Sequence, residues 1–234
     1  MELTIDTSQA VLCLALARQG DVLAEYTWRA QHGATAEVVP VAQYLLAQAG
    51  ADLKQLTGLV VTKGPGSYNG LRAGVATAKG LAFSLEIPLV AVGTLEAMAY
   101  QYAFLPWPVC PLLEVGRGEV AAALYYTRRS KWTQLVAEHI TVIEGLPLPP
   151  SGPIFCCGTL SPATVSRLKG VLGRRGVIAA GAAAWPRAAP LALLGWQRLA
   201  QGQTEDLATL QPLYLRHPVI TQPKQPFSQS PSLL

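Results

Sequence analysis

Short apolar runs separated by polar turns open the chain. The turn Asp6-Thr7-Ser8 lies between the largely apolar residues 2–5 and 10–17, and a second turn at 18–21 precedes residues 22–28. Apolar runs of this length between turn residues are typical of β-strands. The pattern predicts three strands joined in an antiparallel meander.

The next segments change to the period of a helix. Residues 35–49 repeat apolar side chains at three- and four-residue steps, and residues 69–85 form a second helical stretch. The short apolar runs at 59–62 and 87–92 are typical of buried strands. Because strands alternate with helices, the pattern predicts an α/β fold with a mixed sheet.

The second half of the chain repeats the order of the first. Three strand-like runs precede residues 154–159, an apolar run that ends in a glycine turn as residues 60–66 do. The three runs are residues 109–114, 119–126 and 131–138. This repetition predicts a duplicated α/β unit. We expect one subdomain at 1–103, a second at 104–217, and a tail rich in Pro, Gln and Ser at 218–234 that will not bury a core.

Two turns carry residue types that suit a phosphate or its Mg²⁺. The residues concerned are Asp6, Thr7 and Ser8 in the first turn, and Gly64, Gly66 and Ser67 in the second. Glycine permits backbone conformations closed to other residues, and N–H groups at the start of a helix favour an anion. We therefore predict that these six residues bind a nucleotide. The alternative is two ordinary tight turns, and the second one lacks the Lys-Ser/Thr ending of a P-loop.

The second helical stretch has a ridge with almost no side chains. Its small residues recur every four positions, and larger apolar residues lie beside them. Such a ridge lets another helix approach closely. The alternative is packing on the protein's own sheet, which needs one face only. We predict that the two helices form a partner surface through Val38, Val41, Leu45, Gly70, Leu71, Gly74, Val75, Ala78 and Ala82.

Composition and charge narrow the class of protein. Half of the 234 residues are hydrophobic and 14% are charged, against about 25% charged in an average domain, which excludes a disordered chain and a coiled coil. The net charge is −2 through Leu105 and +6 beyond it. The second half is therefore suited to a polyanion, although a solvated basic face is the alternative. The cations that we expect in exposed turns are Arg128, Arg129, Lys131, Arg174 and Arg175.

The sequence shows no familiar catalytic arrangement. The histidines, His32, His139 and His217, are far apart, and the four cysteines fit neither a metal site nor a disulfide framework. We expect no catalytic residue and no metal. No signal peptide is visible, and prolines break the longest uncharged stretch, residues 97–113. A cytoplasmic protein without membrane contact is expected.

With these motifs in view, the chain resembles the TsaB (YeaZ) family. The similarity rests on residues 3–8 and above all on residues 64–82 (GPGSYNGLRAGVATAKGLA), and it continues more weakly to residues 212–216. The segments 33–37 and 114–117 depart from the family pattern. The resemblance implies a duplicated actin-like ATPase fold (ASKHA, ribonuclease-H-like) with two similar subdomains and mixed sheets.

The resemblance also implies a function. The chain would be a non-catalytic scaffolding subunit. Together with TsaD and TsaE, such a subunit is required to form N6-threonylcarbamoyladenosine next to the anticodon of tRNAs that read codons starting with A. The implied partners are a TsaD-like paralogue and a TsaE-like ATPase, with a homodimer when the chain is alone and tRNA contact through the complex. The chain is expected to bind no cofactor of its own, whereas ATP or ADP is expected to bind within the complex. The alternative is a stand-alone peptidase-like or ATP-hydrolysing enzyme of the same fold.

Overall fold

The computed structural model describes residues 1–31 and 34–216, so His32, His217 and the predicted tail at 218–234 lie outside the described residues. The strands are β1 (Glu2–Asp6), β2 (Val11–Arg18), β3 (Asp21–Arg29), β4 (Gly58–Gly64), β5 (Leu89–Gly93), β6 (Val109–Gly116), β7 (Glu119–Arg128), β8 (Lys131–Val142), β9 (Ile154–Cys157) and β10 (Gly176–Ile178). The α-helices are α1 (Ala34–Gln48), α2 (Tyr68–Leu85), α3 (Thr94–Tyr100), α4 (Pro162–Leu172) and α5 (Ala188–Ala200).

The strands form two five-stranded sheets of the same topology. Their orders are β3-β2-β1-β4-β5 and β8-β7-β6-β9-β10. In both sheets the central strand pairs antiparallel with the strand that follows it in the chain, and parallel with the strand on its other side. The matching orders confirm the predicted duplication of an α/β unit with a mixed sheet.

The first sheet has two apolar faces, because successive side chains of a strand point in opposite directions. Leu59 and Val61 lie on one face, where α1 and α2 cover them. Val60, between them, lies on the other face, in a core shared with Leu191 of α5. Both faces are therefore buried, as the continuous apolar run of β4 predicts.

Helix α5 connects the two predicted subdomains. It falls within the expected second subdomain, residues 104–217, but it packs on the first sheet. The approach is close, since a Cβ on Gly195 would overlap the side chain of Val60. From residues 1–103, Ala97 of α3 reaches this second face of the first sheet, and Leu191 and Leu194 of α5 join it there.

The remaining helices cover the second sheet. On α4, Leu168 and Leu172 pack against its outer face. Helix α3 lies between the two sheets: Leu95 and Ala99 share a core with the second sheet, and Ala97 shares one with the first. Each sheet thus has helices on both faces, with α3 and α5 in the layer between them.

The boundaries of the two early helices agree with the sequence pattern. We predicted helices at 35–49 and 69–85, and α1 and α2 lie within one residue of these bounds. Ser67 caps α2, because its Oγ accepts a hydrogen bond from the N–H of Gly70. Within the described part of the chain, none of the helices has the length and apolar character that a membrane span requires.

Candidate functional site

The two turns expected to form a phosphate site meet at one edge of the first sheet. The N–H of Ser67 donates to the carbonyl of Ser8 at 2.7 Å, and Thr7 Oγ1 donates to the carbonyl of Gly70 at 2.8 Å. They meet because β1 and β4 pair in parallel, so that both strands end at this edge. The structure therefore brings the six residues predicted for nucleotide binding close together.

Asp6 is the buried centre of this edge. Its Oδ1 accepts three hydrogen bonds, from Ser8 N at 2.9 Å, Ser8 Oγ at 2.6 Å and Thr62 Oγ1 at 2.9 Å. Burial raises the pKa of Asp6 above its ordinary value, while the hydrogen bonds from Ser8 and Thr62 oppose that rise. The carboxyl group thus ties the first turn to β4.

The glycines at this edge allow the backbone to pack closely. A Cβ on Gly66 would overlap the carbonyl oxygen of Ser8, and a Cβ on Gly70 would overlap that of Thr7. Gly64 has a φ of +118°, and the carbonyl oxygen of Leu213 lies where its side chain would be. The space beside these glycines is therefore filled by the chain's own backbone.

A cavity of about 530 Å³ opens next to the same edge. Its walls come from residues 8–11, 65–67, 113–115 and 213–216, together with Arg29, Ile140 and Thr159. The two units and the end of the described chain all contribute to it. Its size is that of a small-molecule site, and most of the lining side chains are apolar.

Residues 213–216 line one side of this cavity and belong to a longer segment, residues 205–216, which we name the terminal strap. It starts on the first sheet, where Glu205 N donates to the carbonyl of Leu89 at 2.8 Å, and it stays there as far as Leu213, whose N–H donates to the carbonyl of Lys63 at 2.6 Å. It ends on the second unit, where Arg216 forms an ion pair with Glu119. The strap could not be predicted from the sequence pattern, because its apolar residues follow neither a strand period nor a helix period.

Glu114 lies near the end of β6, much as Asp6 lies at the end of β1. Its Oε1 accepts hydrogen bonds from Ser161 N at 3.0 Å and Ser161 Oγ at 2.7 Å, next to the start of α4. Burial raises the pKa of Glu114, but the hydrogen bonds from Thr164 and Ser161 outweigh burial and lower it below its ordinary value. The second unit therefore uses an exposed, ionised acid where the first unit uses a buried one.

The residues predicted for partner contact point into the protein. All are buried except Val41, which packs against the same core. A Cβ on Gly74 would overlap Thr7 Oγ1, so the small ridge of α2 lies against the chain's own first turn. In this structure the ridge serves intramolecular packing, the alternative that the sequence left open.

The exposed sides of α1 and α2 carry a different apolar set. Phe83 is 78% exposed and Tyr44 is 52% exposed. Ala76 and Gly80 precede Phe83 on the exposed side of α2. We name the set the outer helix face, and it consists of Val39, Tyr44, Ala76, Gly80 and Phe83. A bulky ring on the polar side of α2 was the signal in the sequence that could have revealed it.

The described residues, 1–31 and 34–216, contain no group of three or more His, Cys, Asp or Glu side chains that could hold a metal ion. His139 Nδ1 lies 2.8 Å from the carbonyl oxygen of Ala137. The four cysteines are buried and free, and burial is the first cause of the raised pKa of Cys157.

Sequence comparisons find relatives in tRNA modification. A family profile described as TsaD, tRNA N6-adenosine threonylcarbamoyltransferase, matches residues 28–155. The chain is 33% identical to the tRNA threonylcarbamoyladenosine biosynthesis protein TsaB of Bacillus subtilis (strain 168), over 92% of this chain and 93% of that protein. It is also 37% identical to the tRNA N6-adenosine threonylcarbamoyltransferase of Methylobacillus flagellatus, over 39% of this chain and 28% of that enzyme.

Solved structures share the fold. A Pseudomonas aeruginosa protein described as similar to peptidase YeaZ has a TM-score of 0.79 at 24% identity, covering 92% of this chain and 99% of that chain. Component A of the Acidaminococcus fermentans (R)-2-hydroxyglutaryl-CoA dehydratase has a TM-score of 0.51 at 10% identity, covering 85% and 98%. With the matching sheet orders, these likenesses confirm the duplicated actin-like ATPase fold. The Bacillus subtilis match adds sequence identity over nearly the whole length, and the chain belongs to the TsaB family of tRNA threonylcarbamoyladenosine biosynthesis proteins.

Proposed function

We propose that this chain is a non-catalytic scaffolding subunit in the formation of N6-threonylcarbamoyladenosine next to the anticodon of tRNAs that read codons starting with A. It pairs with a TsaD-like paralogue and works with a TsaE-like ATPase in the cytoplasm. The observation that carries the pairing is the outer helix face, an exposed apolar surface on two adjacent helices.

The proposed partner follows from the shared fold. The transferase profile matches residues 28–155, a range that contains both α1 and α2. Two chains of one fold can pair through equivalent surfaces, as two copies do in an isologous dimer. Phe83 and Tyr44 are suited to act as buried anchors, and Gly80 leaves room for a facing helix. The same surface supports a homodimer when the paralogue is absent.

The non-catalytic role is supported by the edge of the first sheet at which the two predicted phosphate-binding turns meet, because the chain's own groups fill that edge. The Oδ1 of Asp6 accepts hydrogen bonds from the chain's own hydroxyl and N–H groups, and backbone carbonyls fill the space beside Gly64 and Gly66. A phosphate site needs such space and N–H groups free for the ligand. We therefore assign the predicted ATP or ADP to the assembled complex and not to this chain alone.

Co-expression with the TsaD-like protein of the same organism, followed by size-exclusion chromatography, tests the pairing. The wild-type chain should co-elute with the partner. The test variant is Gly80→Leu, since apart from its chain neighbours and the backbone of α2 no described atom lies within 4 Å of the position of its Cβ. The added side chain should leave the fold intact and weaken association at least tenfold, because a facing helix can no longer approach. Gly170→Leu on α4 is the matched control, an exposed helical glycine with equally open surroundings among the described residues.

Two results would contradict this proposal. Wild-type affinity of a folded Gly80→Leu variant would exclude the outer helix face as the interface. ATP or peptide turnover by the purified chain, above a blank and lost in Asp6→Ala, would restore the enzyme alternative.

A further inference from the structure

One end of the second sheet gathers the loops that carry its cations. Strands β6, β9 and β10 run parallel and begin at this end. The turn between β7 and β8 lies here too, because Val109 at the start of β6 pairs with Tyr125 near the end of β7. We name this end the basic pole, and it comprises residues 101–108, residues 128–131, residues 146–153 and Gly173–Arg175. It lies opposite the 530 Å³ cavity, which contacts the other end of β6.

The charge of the basic pole is of one sign. Its five cations are Arg128, Arg129, Lys131, Arg174 and Arg175. The sequence contains no Asp or Glu at residues 97–113, 120–137 or 145–204, so every chain segment at this end lacks acids. None of the five cations forms an ion pair with a carboxylate of the described residues. Such an unbalanced cluster creates a positive potential that attracts a polyanion.

The cations stand at both sides of an exposed aromatic ring. One group lies at the β7–β8 turn and the other directly before β10, at opposite edges of the sheet. With strands about 4.8 Å apart, the two groups are separated by roughly 15–20 Å. Phe104 lies in the loop before the central strand β6 and is 80% exposed. Thr127 Oγ1 donates to the carbonyl of Ala103 at 2.7 Å, which fastens this loop to the basic turn.

We propose that the basic pole binds RNA, namely the tRNA on which the complex acts; this inference rests on the proposed function. The arginines and lysine contact backbone phosphates, which set affinity and position without reading sequence. Phe104 offers its ring to an unstacked base, the usual way in which proteins engage exposed bases of folded or single-stranded RNA. The pole is on the second unit and the outer helix face is on the first, so one subunit can hold the paralogue and the RNA together.

The test compares two triple variants that lose the same net charge. The basic-pole variant is R128Q/R129Q/K131Q, and the matched control is R18Q/K54Q/R117Q, three exposed cations elsewhere in the chain. Binding of tRNA by the full chain, alone and with its TsaD-like partner, is measured by fluorescence anisotropy over a series of KCl concentrations. The basic-pole variant should bind at least tenfold more weakly, and its salt slope should flatten by about 0.7–0.9 for each lost phosphate contact. The control should match the wild type.

Phe104 gives a second, independent readout. Phe104→Ala should weaken binding about five- to hundredfold, as expected for the loss of one stacked base, with the salt slope unchanged. Phe104→Leu, which keeps apolar area but not the ring, should recover little of that loss.

Three results would overturn the proposal: wild-type affinity and slope in the basic-pole variant, an equal loss in the control variant, or loss of partner binding with tRNA binding kept. The last result would make the pole a protein contact. Failure of the wild-type chain to bind its partner would reject the proposed pairing alone, because tRNA binding is also measured without the partner.

Discussion

The two sides of α2 resemble each other in sequence but differ in their surroundings. Both carry small residues at four-residue steps, Gly70 and Gly74 inside and Ala76 and Gly80 outside. The inner glycines touch the first turn at Thr7. At Gly80, no described atom lies within 4 Å of the Cβ position apart from the chain neighbours and the backbone of α2. Small residues on one helix therefore serve close packing within the chain on one side and leave an open surface on the other.

Removal of a large side chain from each side should give the strongest contrast. Leu71 is fully buried, so Leu71→Ala should lower the free energy of unfolding by about 2–5 kcal/mol. Phe83 is exposed, so Phe83→Ala should change that free energy by less than about 0.5 kcal/mol and should weaken partner binding instead. Urea unfolding and titration with the TsaD-like partner measure the two effects. Similar destabilisation by both variants would abolish the distinction between the faces.

Substitution of one glycine on each side by alanine should give a smaller difference in the free energy of unfolding. Gly74→Ala should lower the free energy of unfolding by about 1–3 kcal/mol, because the new Cβ overlaps the hydroxyl of Thr7. Gly80→Ala should raise it by up to about 1 kcal/mol, since alanine is the better helix former and the site is open. Thermal unfolding of the pair provides the measurement. If Gly74→Ala were as stable as the wild type, Thr7 would have to move aside at little cost.

The smallest expected effect is on the pH dependence of the free energy of unfolding. It comes from Asp6, at the edge of the sheet on which the inner glycines pack. Burial holds the pKa of Asp6 above its ordinary 3.8, so the folded state keeps this proton more tightly than the unfolded chain. The stabilisation from protonated Asp6 is complete below about pH 3.8 and is lost as the pH rises through the folded pKa. Asp6→Asn, whose amide oxygen can accept the same hydrogen bonds, should remove this loss.

The measurement is the free energy of unfolding of both proteins at several values between pH 4 and pH 7. Relative to the wild type, Asp6→Asn should gain stability as the pH rises. Other titrating groups, such as Glu114, are common to both proteins and cancel in the difference. Parallel curves over this range would show that Asp6 has the same proton affinity in the folded and the unfolded chain.

The sequence predicts α2 well because its signals are local. Ser67 before the helix and the spacing of Leu71 and Val75 define its start and its apolar stripe within a few residues. The orientation of its small ridge is not local information. It depends on Thr7, which lies more than sixty residues earlier and reaches Gly70 only through the parallel pairing of β1 and β4.

The two turns predicted to bind a phosphate also depend on residues that are distant in the sequence. Their residue types predict that they can meet a phosphate, and the structure does bring them together. What the residue types do not show is the carbonyl of Leu213, which arrives from the terminal strap and lies beside Gly64. The strap has neither a strand nor a helix period, and it is placed by hydrogen bonds to Lys63 and by its ion pair with Glu119. Local sequence can thus predict which two turns carry such residues, while a distant segment fills the space beside one of them.

Helix α5 has a consequence for how the molecule can be divided. A fragment that ends at residue 103 would leave Val60 and Val90 partly exposed to water, because Leu191 and Leu194 of the core that covers them lie far along the chain. The complementary fragment would in turn lack α3, whose Leu95 fills part of the second sheet's core. Although the architecture is repeated, each half of the chain supplies a helix that covers one face of the other half's sheet. We therefore expect neither half to fold stably without the other.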